Sequence, residues 1–192
     1  MNIYIKNMVC VRCKMLVKKI LDDMGVAYYK IELGFADLKQ PINHQQKQTL
    51  KSTLQIWGLE LLEDSKEILV EKIKGSVIKM IRDDTEISPV KTSHYLSRYL
   101  HYNYNYLANV FSQETGICLS DYIIAHKIEK AKQMLMDENL TVSEIAWKLN
   151  YSSVAHLSNQ FVKVTGLRPS QFKKSRQNLL TPLELVGMME VA

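Results

Sequence analysis

The most suggestive chemical feature of the chain is a pair of cysteines near its start. Cys10 and Cys13 form a Cys-x-x-Cys motif with Arg12 between them. Two thiolates at this spacing can bind one soft ion such as Cu(I), which accepts two-coordinate sulfur. We expect the N-terminus of the helix that follows, together with Arg12, to favour the anionic thiolates. Cys10 and Cys13 are therefore the candidate metal ligands.

Two other interpretations of the cysteines are open. A Cys-x-x-Cys pair beside a β-α-β pattern is also typical of thiol–disulfide chemistry, although the strand order predicted here differs from that of thioredoxin. Alternatively, Cys13 is a small core residue of the helix and Cys10 is a loop thiol. A closed structural zinc site is not expected, because it needs four ligands. His44, the histidine of this half of the chain, has no sequence reason to lie near the pair.

The apolar residues around the cysteines predict the elements that position them. They alternate with polar residues in four short segments and follow a helical period in two longer ones. In chain order these are a strand from the first residues to Lys6, a helix with its apolar face from Cys13 to Met24, strands at 29–33 and 35–39, a helix at 50–57 and a strand at 59–62. This β-α-β-β-α-β order predicts a ferredoxin-like fold.

At this point the N-terminal segment resembles the heavy-metal-associated domains of copper chaperones and transport ATPases. Their loop reads Gly-Met-x-Cys-x-x-Cys on the same β-α-β-β-α-β scaffold. Met8, Cys10 and Cys13 match that motif, while Asn7 replaces the glycine. The resemblance covers about residues 1–63 and implies Cu(I) or another soft metal ion as a ligand.

The next segment, 65–82, predicts an amphipathic helix, and the Asp83-Asp84 and Ser88-Pro89 pairs that follow predict a loop. Its apolar stripe consists of Leu69, Ile73, Val77, Met80 and Ile81. Two interpretations remain open. The helix is either a connector whose stripe packs on a neighbouring domain, or a helix that pairs with a second copy in a homodimer.

The C-terminal half contains an internal repeat. Five residues recur 50 positions later: Leu107, Asn109, Phe111, Thr115 and Gly116 return as Leu157, Asn159, Phe161, Thr165 and Gly166. Upstream the offset is 49, so that Tyr102 corresponds to Tyr151. Each unit predicts a short helix, a tight turn and a longer helix, which is a helix-turn-helix motif. A longer helix over 119–137 joins the two units.

Local signals define the second unit. Thr141 and Glu144 have the spacing of a capping box that opens its first helix. Asn150 can adopt the left-handed conformation that the turn requires. Gly166 ends the second helix, and Pro169 opens a final short one.

This half resembles the AraC family of bacterial transcription regulators. The matching motifs are Ile145-Ala146, Phe161-x-Lys163-x-x-Gly166, Pro169-Ser170-x-Phe172 and Ala131-x-x-x-Leu135 in the joining helix. The resemblance covers about residues 90–176. Two positions depart from the family pattern, since Asn150-Tyr151 replaces Gly-Phe and Lys127 replaces an arginine. The resemblance implies an all-α domain with two helix-turn-helix units that binds double-stranded DNA.

In that family the second helix of each unit lies in the major groove. The residues that this implies at the bases are Tyr104, Asn105, Ala108, Asn109 and Ser112 in the first unit, and Ser153, Val154, His156, Asn159 and Gln160 in the second. The residues expected at phosphates are Arg98, Lys148, Lys163, Lys173, Lys174 and Arg176. Asparagine and glutamine pair best with adenine, so an A·T-rich site is expected. Tyr102, as the counterpart of Tyr151, is predicted to lie in the core.

Composition excludes several classes of protein. The chain has 192 residues, of which 46% are apolar and 23% charged, enough for two small globular domains. No apolar run predicts a membrane helix. The start lacks the pattern of a signal peptide, so we expect a cytoplasmic protein with no membrane partner. Phosphate loops, nucleophile–base pairs and carboxylate dyads were not found, so catalysis is not expected. The net charge of +5 is compatible with nucleic acid.

Together these patterns predict an α+β chain in four parts. The parts are a ferredoxin-like domain at 1–63, a connecting helix and linker at 64–89, a double helix-turn-helix domain at 90–178 and a tail at 179–192. The predicted function is sequence-specific DNA binding by a transcription regulator that senses a soft metal or the redox state through Cys10 and Cys13. The alternatives are a soft-metal or redox carrier tethered to DNA, and a regulator whose N-terminal domain serves only dimerisation or partner docking.

Overall fold

The computed structural model describes residues 1–82, 92–136, 140–175 and 186. The chain divides into two compact units, Met1–Gly75 and Ser76–Ala192. The predicted loop after residue 82, the end of the joining helix at residue 137, Arg176 and nearly all of the tail lie outside the described residues. In the part of the chain that is described, no helix is both long and apolar enough to cross a membrane.

The first unit has the predicted β-α-β-β-α-β order. Its elements are β1 (Asn2–Lys6), α1 (Val11–Asp23), β2 (Tyr28–Glu32), β3 (Phe35–Leu38), α2 (His44–Ile56) and β4 (Glu60–Leu62). The strands form one antiparallel sheet in the order β2-β3-β1-β4. Ile3 pairs with Ala36 and Ile5 with Leu61, which places alternate residues of the central strand β1 in the core.

The second helix starts earlier than predicted, at His44 rather than Leu50. Asn43 and Gln46 form a capping box, in which the Asn43 side chain accepts from the Gln46 N–H at 2.8 Å and the Gln46 side chain accepts from the Asn43 N–H at 3.0 Å. The first turns of α2 are polar, so hydrophobic periodicity gives no sign of them. The capping residues alone carried the signal.

The helix α3 (Ser65–Arg82) has the predicted bounds, and the division between the two units falls within it. Its N-terminus is capped by Asp64, whose Oδ1 accepts from the N–H groups of Lys66 and Glu67. The stripe residues Ile73 and Val77 are fully buried within the chain. Leu69 is buried too, whereas Met80 and Ile81 are half-buried, so both interpretations of this helix stay predictions.

The second unit is helical throughout its remaining elements. They are α4 (Thr92–Leu100), α5 (Tyr104–Thr115), α6 (Leu119–Met136), α7 (Val142–Lys148), α8 (Val154–Thr165) and α9 (Pro169–Ser175). The helices α4 and α5 form one predicted helix-turn-helix, α7 and α8 form the other, and α6 joins them. The repeat extends to the packing of the core: Phe111 contacts Tyr122, and 50 residues later Phe161 contacts Phe172.

The ends of α5 and α8 are also equivalent. The Thr115 hydroxyl donates to the Phe111 carbonyl at 2.6 Å, and Thr165 donates to Phe161 at 2.7 Å. The glycine that follows each threonine is left-handed, with a φ of 77° at Gly116 and 73° at Gly166. The two helices therefore end in the same way because the repeated residues make the same hydrogen bonds.

Gly166→Ala should lower the free energy of unfolding by about 1 kcal/mol, because an L-residue is strained in the left-handed region. A Cβ at Gly166 would meet nothing within 4 Å, so the backbone alone is responsible. Urea unfolding measures the effect. Asn150→Gly is the control: Asn150 is left-handed too, with a φ of 54°, and its replacement should leave the protein equally or more stable. Equal stability of Gly166→Ala and the wild type would contradict the left-handed cap.

Candidate nucleic-acid interface

Local signals fix both ends of α7. The predicted capping box is present, since the Thr141 hydroxyl accepts from the Glu144 N–H at 3.2 Å and the Glu144 carboxylate accepts from the Thr141 N–H at 2.8 Å. The Thr141 hydroxyl also donates to the Glu144 carboxylate at 2.7 Å, and this bond, followed by the one from the Thr141 N–H, lowers the pKa of Glu144 below its ordinary value. Asn150 is left-handed, as the sequence predicted.

Lys127 braces the turn between α7 and α8 from its place on α6. Its Nζ donates to the Leu149 carbonyl at 2.9 Å, at the C-terminus of α7, and lies 5.2 Å from the centre of the Tyr151 ring. Burial lowers the pKa of Lys127. Lys127 thus donates a hydrogen bond and covers an aromatic ring.

The turn of the first helix-turn-helix unit, between α4 and α5, also contains a left-handed residue, but its residues differ. His101 is left-handed with a φ of 59°, and it is the counterpart of Asn150 at the offset of 49. Asn103 then caps α5 by accepting from the Asn105 N–H at 2.8 Å. The sequence analysis did not assign His101 this role, although the offset points to it.

The residues predicted to face bases on α5 divide by exposure. Asn105 and Asn109 are exposed. Tyr104, Ala108 and Ser112 are half-buried, and burial raises the pKa of the Tyr104 phenol. The Ser112 hydroxyl donates to the Ala108 carbonyl at 2.7 Å, so its proton is engaged within the helix. The open face of α5 is therefore rotated from the predicted one.

On α8 the predicted residues are more accessible. Ser153, Val154, His156 and Asn159 are exposed, and Gln160 is half-buried. Ser153 is the N-cap, because its hydroxyl accepts from the His156 N–H at 3.1 Å. The His156 Nδ1 lies 3.0 Å from the hydroxyl of Ser152, which fixes the direction of the imidazole.

The exposed faces of the two helices are equivalent under the 50-residue offset. Four exposed positions correspond: Asn105, Tyr106, Asn109 and Gln113 on α5 match Ala155, His156, Asn159 and Lys163 on α8. Glu114 on α5, and Val154 and Val162 on α8, are exposed without an exposed counterpart. Sequence reasoning missed Tyr106 and Gln113 on this face. The repeat itself could have identified them, because their counterparts His156 and Lys163 were predicted.

The prediction that Tyr102 lies in the core is wrong. Its side chain is 48% exposed and stacks on Tyr106, with 5.3 Å between the ring centres. Its counterpart Tyr151 is half-buried beneath Lys127 instead. The difference arises because Tyr106 offers Tyr102 a large ring at the surface, whereas α6 covers Tyr151.

The basic residues predicted at phosphates mostly face solvent. Arg98, Lys148, Lys163 and Lys174 are exposed. Lys173 is half-buried and donates to the Leu140 carbonyl at 3.0 Å. This bond links α9 to the residues just before α7, where the second helix-turn-helix unit begins. Arg176 lies outside the described residues. Four of the six predicted side chains are thus available to an external anion.

In the N-terminal compact unit, Met1–Gly75, the cysteines lie at the start of α1, with Cys10 as its N-cap. The two sulfur atoms are 3.3 Å apart, and both residues are half-buried. Burial, followed by the hydrogen bond with Cys10, raises the pKa of the Cys13 thiol. Burial and this hydrogen bond therefore oppose the expected effect of the helix N-terminus and Arg12 on the Cys13 thiol.

Asn7 shapes the cysteine loop. It is left-handed with a φ of 67°, a conformation that glycine adopts more readily than other residues. Its side-chain amide donates to the Gly58 carbonyl at 3.1 Å, and its own carbonyl lies 3.9 Å from the Cys13 sulfur. Met8 is buried in the core. Among the described residues, no group of three or more His, Cys, Asp or Glu side chains could hold a metal ion.

Comparisons with known proteins identify the second unit. Residues 96–175 match a family model described as a helix-turn-helix domain. The transcriptional regulatory protein YesN of Bacillus subtilis is 30% identical over 149 residues, which are 77% of this chain and 40% of that protein. The regulator YtdP of the same species is 29% identical over 109 residues, 57% of this chain and 14% of that protein. The chain therefore spans less than half the length of either relative.

Two solved structures are similar to part of the chain. The C-terminal domain of AraT, a response regulator from Geobacillus stearothermophilus, is 23% identical, with a TM-score of 0.48 over 59% of this chain and 91% of that one. The C-terminal domain of the response regulator yesN from Fusobacterium nucleatum is 27% identical, with a TM-score of 0.44 over 50% of this chain and 93% of that one.

Residues 96–175 are a helix-turn-helix domain, as the family model and the curated relatives show. That span runs from within α4 to the end of α9, and so it takes in both predicted helix-turn-helix units.

Lys127→Met should destabilise the second unit by about 1–3 kcal/mol, because it leaves the partly buried Leu149 carbonyl without its donor. Lys127→Arg retains an N–H donor and should stay close to the wild type. The free energy of unfolding in urea compares the two variants. Equal stability of Lys127→Met and the wild type would contradict a bracing role for Lys127.

Proposed function

We propose that the chain is a transcription regulator that binds duplex DNA with α5 and α8. The observation that carries this proposal is the pair of equivalent exposed faces on the second helices of the two helix-turn-helix units. Each face follows a turn fixed by a left-handed residue and a capped helix start. Rigid helices with exposed polar side chains suit major-groove binding.

Asparagine side chains dominate the base contacts that we propose. Asn105, Asn109 and Asn159 are exposed, and an asparagine amide can donate to N7 and accept from N6 of adenine. The described parts of α5 and α8 place no arginine on these faces, so contacts typical of guanine are lacking there. Ser153, Val154 and His156 complete the proposed contacts, which favour an A·T-rich site.

Phosphate contacts provide the electrostatic part of the proposed binding. Arg98, Lys148, Lys163 and Lys174 are exposed, and they come from α4, α7, α8 and α9. Each cation that neutralises a phosphate releases counterions, so the affinity should fall with rising salt concentration. These contacts fix the protein on the duplex without reading its sequence.

Fluorescence anisotropy with two duplexes tests the proposal. One duplex has a mixed sequence, and the other is enriched from a random pool by the wild-type protein. Lys163→Gln should weaken binding to both and reduce the salt slope by about 1, because a phosphate contact is lost. Asn159→Ala should cost about 1–3 kcal/mol on the enriched duplex only.

Lys19→Gln is the matched control, since Lys19 is exposed on α1 of the other unit and should leave both affinities unchanged. A wild-type protein that binds neither duplex at low salt would contradict DNA binding. Equal losses on the two duplexes from Asn159→Ala would contradict its role as a base contact.

For the first unit we propose a ferredoxin-like domain that senses a soft metal ion through Cys10 and Cys13. The antiparallel sheet order β2-β3-β1-β4 supports this fold. The 3.3 Å separation of the sulfur atoms supports a shared ligand, since both can approach one two-coordinate ion such as Cu(I). Oxidation of the pair to a disulfide is the competing signal. A tethered carrier, or a domain that serves only dimerisation or docking, remains an outcome of the test.

Anaerobic titration with Cu(I) against a competing chelator should show one equivalent bound to the wild type. The Cys10→Ser/Cys13→Ser variant should lose it, and Cys118→Ser should retain it, because Cys118 is an exposed thiol in the other unit. Metal binding must displace the proton of Cys13, whose pKa is raised, so the apparent affinity should increase as the pH rises.

The same samples then bind the enriched duplex with and without Cu(I) or an oxidant. A change in affinity that the double variant loses would support sensing. Unchanged DNA affinity in every condition would contradict sensing and leave the unit a role in dimerisation or partner docking. Cu(I) binding without any DNA binding would instead favour a carrier.

A further inference from the structure

Tyr106 occupies a position on α5 that its fold does not explain. It is the third residue of the helix, its side chain is 47% exposed, and it lies one turn before the exposed Asn109. The core of this helix is formed by other residues, namely Leu107, Val110 and Phe111. A large aromatic side chain on the open face of the helix therefore contributes little to the core.

A neighbouring ring holds Tyr106 in place. Tyr102 stacks on it with 5.3 Å between ring centres and 28° between the ring planes. The backbone on either side of Tyr102 is also fixed, because His101 is left-handed and Asn103 caps the helix. The stack limits the motion of the Tyr106 side chain before any partner arrives. An exposed tyrosine that is already ordered loses less entropy on binding.

An aromatic ring also contacts the corresponding residue of the second helix-turn-helix unit. His156 is the third residue of α8, 50 positions after Tyr106, and its ring meets Tyr151 edge-on at 5.2 Å. The Ser152 hydroxyl holds its Nδ1, which leaves Nε2 as the outer polar atom of the ring. Both helices thus present an ordered aromatic side chain with a polar tip at the same point of the repeat, although the residue types differ.

We infer that Tyr106 binds the DNA backbone, with its phenolic hydroxyl donating a hydrogen bond to a phosphate oxygen, and that Tyr102 positions it. This inference rests on the proposed DNA binding. Tyrosine hydroxyls are among the neutral groups that contact phosphates. The described surface of α5 carries no lysine or arginine, so its phosphate contact needs a neutral donor. His156 takes the equivalent place on α8, where Lys163 supplies a cation as well.

The test measures binding of the full chain to the mixed-sequence and enriched duplexes. Tyr106→Phe removes the hydroxyl and keeps the stacked ring. It should weaken binding to both duplexes by about threefold to tenfold, the usual effect of one hydrogen bond. Tyr99→Phe is the matched control, since Tyr99 is exposed on α4 and stacks on Tyr95, and it should change neither affinity.

Tyr102→Leu tests the positioning role in a double-mutant cycle. It should weaken binding in the wild-type background and have no further effect in Tyr106→Phe, because no hydroxyl then remains to be positioned. Urea unfolding should show that neither variant loses its fold. If the wild type binds and Tyr106→Phe binds equally well, the inference fails while the proposed function stands. A loss on the enriched duplex alone would overturn the phosphate assignment and indicate a base contact.

Discussion

The geometry of the C-terminal unit, Ser76–Ala192, depends on the backbone conformation of one residue in each of its two helix-turn-helix turns. In each helix-turn-helix unit, one residue between the short helix and the next adopts the left-handed conformation, which is costly for an L-residue. This residue is His101 in the first helix-turn-helix unit and Asn150 in the second. The strain is local, and the residues around each turn offset it through the helix caps and through Lys127. Both exposed faces inherit their orientation from these turns.

Local sequence signals were sufficient for much of this fold. The box of Thr141 and Glu144 and the left-handed Gly166 follow from residue types at fixed spacings, and the structure has both. The N-terminus of α2 was missed because its first turns carry no apolar period, although Asn43 and Gln46 cap it in the same manner. Secondary structure was thus predictable wherever the cap or the periodicity was visible in the chain itself.

Properties that depend on neighbours in space were less predictable. The exposed face of α5 is rotated towards Tyr106 because packing, and not the helical period, sets which residues turn inward. The surface position of Tyr102 depends on the size of the ring beside it. The pKa of the Cys13 thiol is raised by burial, which the sequence around the Cys-x-x-Cys motif does not show. Each of these outcomes depends on three-dimensional packing, which hydrophobic periodicity does not show.

The joining helix α6 takes part in the cores of both helix-turn-helix units. Tyr122, in its first turns, packs on Phe111, while Ile128, Ala131 and Leu135 belong to the core around Phe161. An inserted residue between these positions would rotate one set by about 100° and shift it by about 1.5 Å relative to the other. Evolution can therefore exchange residues on α6 far more readily than it can change its length. The length of α6 therefore sets the spacing between the two helix-turn-helix units, and with it the spacing of the surfaces that α5 and α8 expose.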